Sequence, residues 1–224
     1  MKLKKKAILA AAAMLLGSTL MLAGCGTGSS TAAGGSTAEG QAAGTEIKLE
    51  KNQFVVTLYP KYAPITCENF ESLVKDKFYD GIIFHRVVDD FMAQGGDPTG
   101  TGMGGSSKTI KGEFKSNGVD NQLSHTRGIV SMARSSDPDS ASSQFFICYS
   151  DSDTFLDGNY AAFGEVTQGM EVVDDFLKVD REVNSSGEKA SPKTPITIDT
   201  AVMAADDKDG NHRVLFTMQD FLKK

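Results

Sequence analysis

Short runs of alternating hydrophobic and polar residues recur along the chain from residue 46 onward, and few segments carry a helical period. In "EIKLEKNQFVVTLYP", residues 46–60, Ile47 and Leu49 share one face and Phe54, Val56 and Leu58 share another. Lys51-Asn52-Gln53 can turn between them, which predicts an opening hairpin. Cys67, Phe70, Leu73 and Val74 are spaced for one helix face, and Pro64 ahead of them suits a first turn. "IIFHRVV", residues 82–88, has high β propensity. As a strand it sends Phe84 and Arg86 to one side and His85 and Val87 to the other. Residues 98–109 read as loop, residues 128–133, 143–150 and 161–166 as strands, and Met170, Val173, Phe176 and Leu177 mark a second helix. "TPITIDTAVM", residues 194–203, alternates again and should complete the sheet. Many short strands with two helices argue for an all-β barrel or sandwich, not a doubly wound sheet. Residues 205–224 extend further, and "HRVLFTMQDFL" within them suits an extra strand or short helix packed on the sheet, or else a tail; no function is read from them.

The first residues have another pattern. Lys2, Lys4, Lys5 and Lys6 precede an apolar run over residues 7–21, the layout of an export signal and too short for a comfortable membrane span. The run ends in "LAGC", residues 22–25, which resembles the lipobox of bacterial lipoproteins. That resemblance implies cleavage before Cys25 and acyl chains on it, with two or more chains needed for firm attachment. An ordinary signal peptide cut nearby, or an uncleaved anchor, is the alternative. Residues 26–45 hold no aromatic or branched aliphatic side chain and a single charge, Glu39, so nothing in them can build a core. They read as a flexible tether, with a coil reach of roughly 25 Å and about 65 Å when straight. The expected organisation is a leader over 1–24, a lipidated Cys25 with its tether over 25–45, a folded domain over 46–204 and an extension over 205–224. The expected place is the extracytoplasmic side of a bacterial cell membrane.

Charge and cysteines narrow the picture. The formal charge of −6 becomes about −10 once the four leader lysines are gone. A chain so acidic, with no basic stripe, should be soluble beyond its anchor and is a poor partner for nucleic acid. Cys67 and Cys148 remain. An extracytoplasmic site permits a disulfide, yet two separate buried thiols are the preferred reading.

Each candidate for chemistry has a plainer alternative. "GTGMGG", residues 100–105, lacks the strand before it and the helix after it that a dinucleotide loop needs, so it reads as a surface loop. His85, His125 and His212 are scattered without metal-ligand spacing, and no metal site is expected. Counting Ser, His and Asp does not exclude a hydrolytic triad, but no nucleophile elbow is present. Arg86 alone reads as an edge arginine paired with Asp89 or Asp90. Its neighbours in the chain weaken that reading: Phe91 and Met92 offer a ring and a thioether, Gln94 offers donor and acceptor, and Gly95 and Gly96 permit close approach. Further on, Gln144 and Phe146 share a strand face, and Phe155, Leu156 and Tyr160 lie in a loop.

The pieces "APITCENFESL", "FYDGIIFHRVVDDFMAQGGD", "GGSS", "GIVSMA", "SSQFFICYSDSDTFLDGNYAAFGEV" and "GMEVVD" run in one order over residues 46 to 204. This part of the chain resembles the cyclophilin-type peptidyl-prolyl cis-trans isomerases. The resemblance implies a closed eight-stranded antiparallel barrel capped by two α-helices, an active groove on its outer face, no cofactor, and action as a monomer. The substrates it implies are unfolded or partly folded polypeptides containing proline. Arg86 matches the family's catalytic arginine, and Gln94 would brace it or hold substrate. Phe91, Met92, Ala133, Gln144, Phe146, Phe155, Leu156 and Tyr160 match groove positions. Three residues depart from common family choices: Arg134 for asparagine, Phe155 for the tryptophan of many eukaryotic members, and Tyr160 for histidine. A polypeptide-binding or chaperone module using the same groove without turnover is the rival reading.

Overall fold

The computed structural model describes residues 46–184 and 186–222; the leader, Cys25 and the tether lie outside the described residues. The strands are β1 (Gln53–Leu58), β2 (Arg86–Val87), β3 (Met92–Gly95), β4 (Ile129–Met132), β5 (Phe145–Cys148), β6 (Ala162–Gln168), β7 (Arg181–Val183), β8 (Lys189–Pro192), β9 (Ile198–Ala204) and β10 (Arg213–Met218). Two short helices, α1 (Pro64–Lys75) and α2 (Met170–Asp174), complete the architecture. Eight strands form one antiparallel sheet in the order β2-β3-β5-β4-β6-β1-β10-β9, and β7 and β8 pair apart as a hairpin.

The sheet curls but does not close into the expected barrel. β2 and β9 are its edges, and an isolated bridge between Ile83 and Thr197 spans the gap between them. The reason lies in residues 82–85, which do not form the expected strand. Phe84 and Val87 are both fully buried in the main core although they are three residues apart, which unbroken alternation forbids. Phe84 and Arg86 therefore do not share a face, and no continuous ladder can run through this segment.

The opening hairpin is also absent. β1 uses one edge for β6 and the other for β10, so no edge is left for residues 46–50. That segment is instead fastened through Ile47, whose backbone exchanges hydrogen bonds with the Gln168 side chain, each 3.4 Å. The strand that takes the vacated place comes from the far end of the chain. Residues 205–212 turn back on themselves, with the Asp207 carboxylate accepting from the N–H groups of Asp209 and Asn211 at 2.8 Å each. β10 then runs between β1 and β9, Phe54 facing Phe216 in register and Phe216 facing Ala201. The Phe54 and Phe216 rings stack at 4.9 Å, and Phe70, Phe145 and Phe163 pack around them.

α1 begins as its sequence suggests, with Pro64 in the first turn, but the residue before it offers no side-chain cap. Glu113 supplies one from a distance. Its buried carboxylate accepts from the N–H groups of Ile65 at 3.0 Å and Thr66 at 2.7 Å, which satisfies orphan donors at the positive end of the helix. Cys67, Phe70 and Val74 then face the core. Cys67 and Cys148 are both free and buried, and burial pushes the Cys67 thiol up to about 12. No helix of the described residues is long and apolar enough to cross a membrane.

Candidate active site

Register places the candidate residues. Arg86 lies opposite Gln94, Gln94 opposite Phe146, and Phe146 opposite Ser131, a row running across four strands. The neighbouring row, Val87, Ala93, Ile147 and Val130, belongs to the main core. The first row is therefore on the other face of the sheet. Two positions along that face from Gln94 and Phe146, Met92 meets Cys148, and these residues join Phe146 and Leu156 in a second, smaller apolar cluster. Phe91, Ala133 and Tyr160 pack against it.

Above this cluster is a cavity of about 160 Å³ lined by Arg86, Phe91, Met92, Gln94, Ala133, Arg134, Phe146, Leu156 and Tyr160. Eight of the ten groove residues expected from the sequence thus meet in one place. Gln144 lies next door. It lines an adjoining cavity of about 450 Å³ that shares Gln94, Ala133 and Arg134 with the first. Phe155 lines neither. It is 66% exposed at the rim, 5.8 Å from the Phe91 ring.

Polar contacts link the walls. Arg86 Nη1 donates to Gln94 Oε1 at 3.4 Å, Gln94 Nε2 donates to Gln144 Oε1 at 2.8 Å, and Gln144 Nε2 donates to the Gly104 carbonyl at 2.7 Å. The loop at the end of this relay is organised by Asp97. Its carboxylate accepts from the N–H groups of Thr99 at 2.8 Å, Thr101 at 3.0 Å, Gly102 at 2.6 Å and Gly104 at 3.1 Å. Burial alone would raise this carboxyl, but the hydrogen bonds from Thr99, Gly104 and Gly102 prevail and pull it down to about 2. A Cβ on Gly104 would overlap that carboxylate. The loop's amides, which a phosphate would need, are already occupied by an acid of the chain itself.

Arg86 is paired with neither Asp89 nor Asp90. Its Nε donates to Glu188 Oε2 at 2.6 Å and its Nη2 to Glu188 Oε1 at 2.9 Å, and these bonds hold the Glu188 carboxyl below the usual range. Asp89 accepts instead from Arg181 at 2.9 Å. Neither Glu188 nor Asp97 stands out in the sequence as a site residue. Glu188 is 102 positions from Arg86 in a polar stretch with no distinguishing pattern, whereas Asp97 closes "QGGD" and offers a weak local signal.

Arg134 does not project a free charge into the groove. Its guanidinium donates to the carbonyls of Asn159 and Ser135 at 2.8–3.0 Å and lies 4.8 Å from the Tyr160 ring centre. Two of the three departures from the family pattern are thus in contact. A serine, histidine and aspartate also come together. His125 Nδ1 is 2.7 Å from Asp157 Oδ1, and its Nε2 is 2.9 Å from Ser131 Oγ. Ser131 and His125 are buried, with the His125 ring stacked on Phe146, so no substrate can reach the hydroxyl and the trio serves as scaffold. Burial, against the pull of Asp157, lowers the imidazole below its ordinary value. Among the described residues no group of three or more His, Cys, Asp and Glu is arranged to hold a metal ion.

Comparison with known proteins gives a consistent result. Residues 45–203 match the family model described as cyclophilin type peptidyl-prolyl cis-trans isomerase. The peptidyl-prolyl cis-trans isomerase ppi1 of Schizosaccharomyces pombe is 45% identical over 131 residues, 58% of this chain and 82% of that protein. A peptidyl-prolyl cis-trans isomerase of Acinetobacter baylyi is 42% identical over 159 residues, 68% of this chain and 81% of that one. A crystal structure of a Cryptosporidium parvum cyclophilin type isomerase, determined in the presence of the dipeptide Ala-Pro, superposes with a TM-score of 0.56 at 29% identity. It covers 74% of this chain and 92% of the other.

Proposed function

The chain belongs to the cyclophilin-type peptidyl-prolyl cis-trans isomerase family, and from that premise we propose that Arg86 drives imide rotation in proline-containing polypeptides presented at a membrane surface. An X-Pro bond has partial double-bond character, and its unaided rotation takes tens to hundreds of seconds against a barrier near 20 kcal/mol. No bond is broken. At the transition state the imide is twisted, and its nitrogen, freed from conjugation, becomes a better acceptor than in either planar form. A guanidinium beside it then binds the twisted state more strongly than the ground state, and only such differential binding accelerates the step. Arginine suits this task because its charge is permanent and its donors form a rigid fork.

The observation that carries the reading is that Arg86 lines the same small cavity as Phe91, Met92, Phe146 and Leu156, while the second arginine there, Arg134, donates to the backbone carbonyls of Asn159 and Ser135. The apolar walls immobilise the proline ring while the preceding carbonyl swings. Tyr160 borders the ring, Gln94 braces Arg86, and Gln144 faces the residues before the proline. The full chain in mild detergent should accelerate cis-to-trans relaxation of a short Ala-Pro-Phe peptide. Arg86→Ala should lose about 100-fold of that acceleration with its melting temperature unchanged. An unchanged rate in Arg86→Ala would remove Arg86 from the mechanism, and no acceleration by a folded wild type would favour a binding module.

The leader and "LAGC" support the rest of the proposal: a lipid anchor on Cys25, an extracytoplasmic location, and exported chains as clients. Slow prolyl steps leave such chains exposed while they fold. Labelled palmitate should be incorporated into the wild type and not into Cys25→Ala, and the variant should leave the membrane fraction.

A further inference from the structure

Glu188 meets Arg86 along one edge of the guanidinium. The carboxylate takes the Nε and Nη2 edge, and Glu188 is absent from the cavity lining that includes Arg86 and Gln94. The edge that remains, Nη1, is the one beside Gln94. The carboxylate is itself held. Asn184, across the turn of the β7–β8 hairpin, donates its backbone N–H to the Glu188 carbonyl at 2.8 Å, accepts the Glu188 N–H on its side-chain Oδ1 at 3.0 Å, and places Nδ2 at 3.5 Å from Oε2. The hairpin is fixed a second time to the turn just after β2, through Arg181 to both Asp89 oxygens at 2.9 and 3.1 Å.

The pair is not explained by stability. Both side chains are about one third exposed, 32% and 33%, and ion pairs so open to water contribute little to folding. An arginine side chain otherwise samples many rotamers, and a catalytic donor must be held in one geometry to act. We infer that Glu188 is a positioning residue for Arg86, holding the Nε–Nη2 edge so that the Nη1 edge faces the bound imide. This inference rests on Arg86 acting on the imide as proposed above.

The test compares Glu188→Gln, Glu188→Asp, Asp89→Asn and Arg86→Ala in the full chain with the same peptide assay. Glu188→Gln and Glu188→Asp should each lower kcat about tenfold, with KM moving less than about twofold. The Arg86 Nε–H signal in NMR should broaden in both. Asp89→Asn loosens the same hairpin without touching Arg86 and should keep kcat near the wild-type value. In an Arg86→Ala background, Glu188→Gln should add no further loss. An unchanged kcat in Glu188→Gln, beside an inactive Arg86→Ala, would overturn the inference and leave the function standing. Equal losses in Glu188→Gln and Asp89→Asn would reduce Glu188 to hairpin anchoring. A faster Glu188→Gln would show that the carboxylate restrains Arg86. A fully active Arg86→Ala would remove the inference together with the mechanism beneath it.

Discussion

The half of the sheet that carries the groove and the half that does not are held together by different forces. In β2, β3, β5 and β4 the strands are two to four residues long, and the face away from the main core carries the small apolar cluster and the cavity walls. Order there comes from a relay of side chains, Glu188 to Arg86 to Gln94 to Gln144, and from the Asp97 carboxylate under the glycine loop. In β6, β1, β10 and β9 the strands are six or seven residues long, and stacked aromatic rings fill the space beneath them. Polar networks fix geometry at little net gain in stability, whereas buried rings and ladders supply stability without chemistry. The molecule thus keeps its working parts on the half with short ladders and added polar networks, and its longest ladders on the other, over a main core that both halves share. An inner strand of the long-laddered half, β10, lies beyond residues 45–203, which carry the family pattern.

Removing residues 205–224 should break this arrangement most severely. β1 would lose five paired positions and β9 six, and Phe216 would leave the core. The shortened chain should show no cooperative thermal transition and no isomerase activity, although it retains every residue of the cavity. Phe216→Ala is the milder form of the same experiment and should cost about 3–5 kcal/mol in denaturant unfolding. A shortened chain that melted cooperatively would show that the two halves do not depend on β10 as the packing implies.

The same contrast explains what could be read from the chain. Arg86, Phe91, Met92 and Gln94 are neighbours in sequence, so their chemistry stands out as one cluster without any coordinate. The short strands around 129–132, 145–148 and 162–168 are legible because alternation survives in them. β3 escapes notice because Gln94 and Gly95 dilute its pattern, and the β7–β8 hairpin because its strands of three and four residues are too short to show one. Pairings between distant segments leave no local trace. Residues 47–58 alternate well enough for a hairpin, and only the arrival of β10 denies it an edge. Arg86 has acids nearby in the chain as candidate partners, yet the fold brings it one from 102 positions away.

Asp97 sharpens the comparison on the groove side. Its carboxyl titrates near 2 in the folded protein against an ordinary 3.8, so its contribution is fully present above 3.8 and is lost as pH falls toward 2. Asp97→Asn should cost about 2 kcal/mol at neutral pH, and the difference from wild type should shrink toward zero by about pH 2. Peptide binding should weaken as well, because the loop it organises lines the cavity beside Gln144. A difference that stayed constant across that pH range would mean that shape, not charge, holds the loop.

On the other side the smallest expected effect comes from His212, which precedes β10 and reaches back to α1. Its Nδ1 lies 2.7 Å from Glu71 Oε1, and that hydrogen bond raises the imidazole above its ordinary 6.5. A raised histidine stabilises fully below 6.5, and its contribution disappears as pH rises through the folded value. The ring is 49% exposed, so screening by water limits the gain to a few tenths of a kcal/mol. Lys75 also lies 3.2 Å from Glu71, so the imidazole is not the only cation beside that carboxylate. His212→Gln should therefore be slightly less stable than wild type at pH 6 and equal to it in alkaline solution, as measured by urea unfolding. A large loss at both pH values would mean that the turn into β10 depends on the imidazole's shape and contacts. The far half would then owe part of its cohesion to the same kind of side-chain fastening that holds the groove.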